Sequence, residues 1–123
     1  MSHRYHLRIH DNSLINLTNI DWGIFTNLKA LKIGSNSLRN LDSFIVENQA
    51  LLESVKVYYS VGWDCVRQEL LERRIQEFDL EKRFTNKKFR LGHCPMLRTI
   101  SIGCNCFCDY EEFQLEGRFW IQD

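Results

Sequence analysis

The sequence has no net charge: 16 lysines and arginines balance 16 aspartates and glutamates. This excludes the overall basic footprint of a nucleic-acid-binding domain, while leaving room for local patches. No run of about 18 apolar residues exists, so no membrane span is expected. The start, Met1-Ser2-His3-Arg4-Tyr5-His6, has no apolar h-region, so no signal peptide is expected. Proline occurs once, as Pro95. There is no glycine-rich phosphate loop, paired-carboxylate site or nucleophile elbow. His3, His6, His10 and His93 have no serine or carboxylate at a triad-like spacing. The expectation is a chain with no enzymatic activity and no cofactor. The five cysteines are Cys65, Cys94, Cys104, Cys106 and Cys108. An odd count without a secretion signal points to free thiols in a reducing compartment, and hence to a cytoplasmic location.

The chain is 44% apolar and 12% aromatic, enough for a core, and its 123 residues suit one domain. The apolar residues follow a frame. Leu28-x-x-Leu31-x-Ile33-x-x-Asn36-x-Leu38 is followed by Phe44-x-Val46. The same frame, 24 residues earlier, holds Leu7, Ile9, Asn12, Leu14 and Leu17, then Ile20 and Trp22. Arg4 stands where Leu28 would be. A third copy begins at Leu52, with Val55, Val57 and Ser60 in place of the asparagine. A fifth is clear: Leu97-x-x-Ile100-x-Ile102-x-x-Asn105-x-Phe107, then Phe113-x-Leu115. Between them Ile75-x-x-Phe78-x-Leu80, with Phe89 and Leu91, reads as a degenerate fourth. The segment from Asp64 to Arg74 is amphipathic, with Val66, Leu70 and Leu71 on one helical face, an i,i+4 pair in Glu69 and Arg73, and Asp64 as a candidate N-cap. A rival reading is one continuous helix from Asp64 to about Phe84.

The spacing resembles the leucine-rich repeat, L-x-x-L-x-L-x-x-N-x-L, over roughly residues 4–121. The resemblance implies an α/β leucine-rich repeat solenoid of five coils of about 22–24 residues. Its strands would be short and mostly parallel, with little helix and one short helix near 64–74. Residues 1–123 would be a single domain; neither end carries a polar cap, so the chain is expected to be a fragment of a longer array, the alternative being ends that pair with another chain. Each L-x-L pair puts two apolar side chains on one strand face. The asparagines at 12, 36 and 105 are expected to stack inward as a side-chain ladder. Ile20/Trp22, Phe44/Val46, Phe89/Leu91 and Phe113/Leu115 are expected to form short second strands that close the core.

The family binds other proteins on its concave strand face, and the resemblance implies a protein–protein interaction module. In this register Arg8, Lys32 and Lys56 form an outward column with Tyr58 and Tyr59 beside it. That basic stripe is the expected site for an acidic protein partner; the competing reading is that exposed strand positions are often charged. Glu77, Asp79 and Glu81 would face the same way from the fourth coil. A second reading is a zinc- or redox-linked site at Cys94, Cys104, Cys106 and Cys108. Against it, C-x-C is tighter than usual zinc spacing, and the frame fans the three later thiols outward around a turn. A third reading is a structural fragment with no partner of its own. The basic cluster Lys82, Arg83, Lys87, Lys88 and Arg90 reads as a solvated face. Asn16-Leu17-Thr18 is a formal glycosylation sequon, discounted because Leu17 is expected inward and no signal peptide is expected. No nucleic acid and no membrane is expected as a partner.

Overall fold

A computed structural model describes residues 5–63, 87–108, 110–116 and the backbone of 120–122. Among the described residues, eight strands form two parallel sheets. Sheet A takes β1 (Tyr5–Ile9), β2 (Leu28–Ile33), β4 (Ser54–Val57), β6 (Thr99–Ile102) and β8 (Trp120–Gln122), in that order. Sheet B takes β3 (Ser43–Glu47), β5 (Lys88–Gly92) and β7 (Glu112–Leu115). The only helical element among the described residues is a 3₁₀ turn at Trp22–Ile24. The coarse class is therefore parallel strands in two sheets with almost no helix.

The inward residues follow the alternation of the apolar frame. Leu31, Ile33, Val55, Val57 and Ile100 from sheet A are buried, as are Phe44, Val46, Phe89 and Leu91 from sheet B. Register matches the frame: Leu7 pairs with Leu31, Leu31 with Val55, Val55 with Ile100 and Ile100 with Ile121. An aromatic column fills the space between the sheets. Trp22 lies 5.3 Å from Phe44, Phe44 stacks on Phe89 at 4.9 Å, and Phe89 stacks on Phe113 at 4.1 Å. Phe107 wedges between Phe44 and Phe89. It enters where Gly62 leaves room, since a Cβ on Gly62 would come within 2.5 Å of the Phe107 ring.

The turns after the sheet A strands explain the asparagines differently from the ladder expectation. Asn12 and Asn105 are exposed and Asn36 is half-buried. Their side-chain amides make no hydrogen bond with other described residues. All three have left-handed backbone, with φ of 57°, 60° and 60°, and Ser60 shares it at 56°. Asparagine is among the few residues that reach this region readily. Two residues on, Leu14, Leu38 and Phe107 are left-handed as well, and Gly62 holds the matching place. A left-handed leucine costs about 1–2 kcal/mol. Fully burying a leucine returns about 1.5–3 kcal/mol, so the strain at Leu38, which is 0% exposed, is more than offset. The ladder itself is made of backbone. Asn12 N donates to Ser35 O, Asn36 N to Tyr59 O and Ser60 N to Cys104 O, at 2.8–3.0 Å. Leu38 N donates to Ser13 O, Gly62 N to Ser37 O and Phe107 N to Val61 O.

Four further expectations are corrected. First, β4 hydrogen-bonds directly to β6, so in sheet A the third segment is followed by the one that begins at Leu97, while Ile75–Leu80 lies outside the described residues. Phe89 and Leu91 align with Phe44 and Val46, which makes them the second half of the third segment rather than of a fourth. The two halves of that segment, β4 and β5, are separated by a long stretch of chain. The helix expected near 64–74, its rival to Phe84, and Glu77, Asp79 and Glu81 lie outside the described residues. Second, Ile20 and Trp22 form no strand; Asp21 instead caps the 3₁₀ turn, its carboxylate accepting from Gly23 N at 3.0 Å. Third, Phe113 stacks on Phe89 in the inward row but is still 50% exposed: among the described residues β7 pairs with β5 alone, and no ring covers Phe113 as Trp22 covers Phe44 at the other edge. Fourth, Leu17 is exposed, so burial gives no reason to discount the sequon.

If asparagine serves left-handed backbone, Asn36→Gly should leave the urea midpoint equivalent to within about half a kcal/mol, while Asn36→Ala should lose about 1 kcal/mol. Equal losses in both variants would restore the side-chain ladder.

Candidate functional site

The outward positions of sheet A form two columns. His6, Ala30, Ser54 and Thr99 are aligned in one, where Ala30 is buried, and Arg8, Lys32, Lys56 and Ser101 in the other. Three cations and no carboxylate occupy these eight places, on a chain with no net charge. Arg8, Lys32 and Lys56 are all exposed. Neighbouring strands sit about 4.8 Å apart, so the three heads must splay to limit repulsion of about 1 kcal/mol per close pair in water. Neither Arg8 nor Lys32 has an ion pair among the described residues. Lys56 Nζ lies 4.8 Å over the Tyr58 ring, an arrangement that satisfies a cation without neutralising it.

Sheet B shows the opposite pattern. Its outward residues carry both signs and compensate one another. Arg90 reaches Glu47 at 3.4 Å and Gln114 Oε1 at 3.0 Å. The basic cluster expected there as a solvated face is not uniform: Lys87 is buried, 6.0 Å from the Tyr110 ring centroid. Lys82 and Arg83 lie outside the described residues. Among the described residues, the sheet A column is thus the one whose cations have no carboxylate partner.

The far end of the column is shaped by small residues. Gly34 and Gly103 follow their strands, and each lies against the backbone of the preceding segment. A Cβ on Gly34 would meet Asp11 N at 2.5 Å, and one on Gly103 would collide with the Tyr58 carbonyl. Large residues therefore alternate with glycine along this row: His10, Gly34, Tyr58, Gly103. Beside them a second row is knitted by side chains. Asp11 Oδ1 accepts from Ser35 N at 2.8 Å, and Ser35 Oγ accepts from Tyr59 N at 3.2 Å. This fixes Tyr59 with its side chain 58% exposed. Lys56, Tyr58 and Tyr59 on one side, and Ser101, Gly103 and Cys104 on the other, line an open cleft of about 700 Å³. All five residues of the expected stripe therefore lie on one side of sheet A: Arg8, Lys32 and Lys56 in a column, and Tyr58 and Tyr59 at its end. The apolar frame also places Ser101, Gly103 and Cys104 on this face, but the expected stripe did not include them. The alternation of glycine with bulky residues along the row is the signal that a cleft opens there.

The cysteines divide by burial. Cys104 and Cys108 are exposed; Cys94 and Cys106 are half-buried. Cys106 thus departs from the outward fan. It occupies the place of the buried Ser37, whose Oγ donates to Gly34 O, and its own thiol donates to Tyr58 O at 3.0 Å. Burial pushes the thiol pKa of both Cys94 and Cys106 up, partly opposed by backbone hydrogen bonds. Among the described residues, no three cysteine, histidine, aspartate or glutamate side chains are gathered as metal ligands. His93 instead meets Glu116 at 2.9 Å on the surface. None of the helices among the described residues is long and apolar enough to cross a membrane.

Comparison with known proteins adds nothing to this geometry: no family model, curated protein or solved structure matches the chain.

The thiolate is the reactive form of cysteine, so a raised pKa leaves less of it at a given pH. A thiol reagent at pH 8, with labelled peptides mapped by mass, should modify Cys104 and Cys108 well before Cys94 and Cys106. Equal rates at all four would contradict the placement of Cys106.

Proposed function

We propose that the chain is a leucine-rich-repeat-type solenoid whose exposed sheet A face recognises an acidic protein partner. Recognition rather than catalysis is the reading that fits a face with cations, tyrosines and no nucleophile–base pair. The observation that carries it is the in-register column Arg8–Lys32–Lys56, exposed and free of carboxylates, on a chain with no net charge. Holding three like charges on adjacent strands is unfavourable in isolation and is relieved by a partner of opposite charge. Tyr58 and Tyr59 add rigid aromatic area, the kind of side chain that anchors interfaces. The solenoid reading is supported by the shared register of the sheet A strands and by turns that repeat the same left-handed conformations. The rival cysteine reading draws less support, since two of the described thiols are turned into the protein and two to its surface.

Affinity capture from lysate tests this. The bait is the chain itself, beside Lys32→Glu/Lys56→Glu and a sheet B control, Lys88→Glu, all with matching circular dichroism. The proposal expects partners that bind the parent and the control, dissociate as salt rises, and fall at least ten-fold with the double variant. Recovery of the same proteins by all three baits would place binding elsewhere.

A further inference from the structure

We propose that the cleft between Tyr59 and Gly103 is a side-chain subsite for an acidic peptide, taking a carboxylate at Lys56 and an adjacent apolar group against the Tyr59 ring. The inference rests on the reading of sheet A as a recognition face and names what one part of it accepts.

The cleft exists because two small residues face two large ones. Ser101 is the Cα partner of Lys56, so the cation looks across a strand that carries a short hydroxyl at that place. Gly103 has no side chain to fill the space beside Tyr58 and Tyr59, and its close approach to the Tyr58 carbonyl excludes any other residue there. The resulting space, about 700 Å³, falls within the size range of small-ligand and side-chain pockets. Its chemistry is one-sided. Among the described lining residues Lys56 is the only charged one, the tyrosines give apolar ring faces with polar tips, and none is a carboxylate that would accept a basic group. A cationic side chain would meet Lys56 unfavourably. A purely apolar one would leave that ammonium without a counter-charge. A carboxylate next to an apolar group satisfies both parts of the lining.

Phosphate is also anionic, and a nucleic acid is the rival occupant. The observations favour the peptide. The cleft offers one cation in its lining, and the column continues with only Lys32 and Arg8 along the strands, few groups for a phosphate backbone that gains affinity by neutralising many charges.

Cys104 is exposed and lines the cleft, whereas Cys108 is exposed and outside it. This gives a test with an internal control. The full chain is equilibrated, at fixed reductant, with mixed disulfides of mercaptomethylbenzoate, of its neutral amide and of the matching benzylamine. Adducts at each thiol are counted by peptide mass. The benzoate should occupy Cys104 about two- to five-fold more than the amide, the range given by a single exposed ion pair, and the amine should fall below both. The preference should be larger at Cys104 than at Cys108. Lys56→Glu should invert the order, and Tyr59→Ala should lower all three adducts at Cys104 alone. Poly-glutamate should displace the benzoate. Equal occupancy, an order unmoved by Lys56→Glu, or the same preference at Cys108 would overturn the subsite. Displacement by an oligothymidylate but not by poly-glutamate would overturn the peptide in favour of nucleic acid. The two readings fail separately. Loss of capture by the Lys32→Glu/Lys56→Glu bait with no preference at Cys104 removes the subsite alone. The expected tethering pattern with undiminished capture removes the wider face and leaves the subsite.

Discussion

Backbone hydrogen bonding between matching positions of successive segments is the constraint on which the structure depends. It runs without interruption from the sheet A strands into the turns that follow them, so each segment is locked in register with the next. The turns can join the ladder only because two of their positions are left-handed. Asparagine or serine takes the first at low cost, and the second is held by Leu14, Leu38, Gly62 or Phe107. At Leu38 the strain is outweighed by burial. At Leu14, which is 48% exposed, the same conformation persists with much less burial to offset it. The turn is thus imposed by the ladder as well as by its own side chain.

The register determines what the surface shows. With period-2 alternation fixed, the apolar residues of each strand go inward, and every intervening residue is placed beside its counterpart on the next strand. Arg8, Lys32 and Lys56 become neighbours for this reason alone. The same rule on sheet B brings Arg90 between Glu47 and Gln114 and leaves that face internally compensated. One backbone arrangement therefore yields two faces that, among the described residues, differ in electrostatic character.

Much of this was legible in the sequence, because the apolar frame reports the core directly. Leu31, Ile33, Val55, Val57 and Ile100 sit where their spacing places them, and the Arg8–Lys32–Lys56 column follows from the same frame. The frame failed where a residue answers to backbone geometry or to its position in a sheet. Asparagine was read by its side chain, when its tolerance of positive φ is what the turn uses. Trp22 was read as strand, but Asp21 and Gly23 form a capped turn there. Phe89 and Leu91 carried the correct inward pattern but were counted with the wrong segment, because apolar spacing does not reveal which strand is the neighbour. Phe113 was placed inward without allowance for the open edge of β7. Cys106 was read as outward from its flanking residues, although its counterpart Ser37 is buried by the same turn.

The direct pairing of β4 with β6 places Ser101 beside Lys56 and separates this arrangement from a chain of five equal coils. A disulfide trap measures it most directly. Lys56 and Ser101 are Cα partners on adjacent strands, within the roughly 4.4–6.8 Å Cα separation that a disulfide spans. An intervening strand would hold them about 9.6 Å apart, two strand spacings. Under mild oxidation the double variant Lys56→Cys/Ser101→Cys should form a 56–101 bridge in high yield without loss of structure. If that bridge fails to form while the variant remains folded, β4 and β6 are not neighbours and the account of the face they build is wrong.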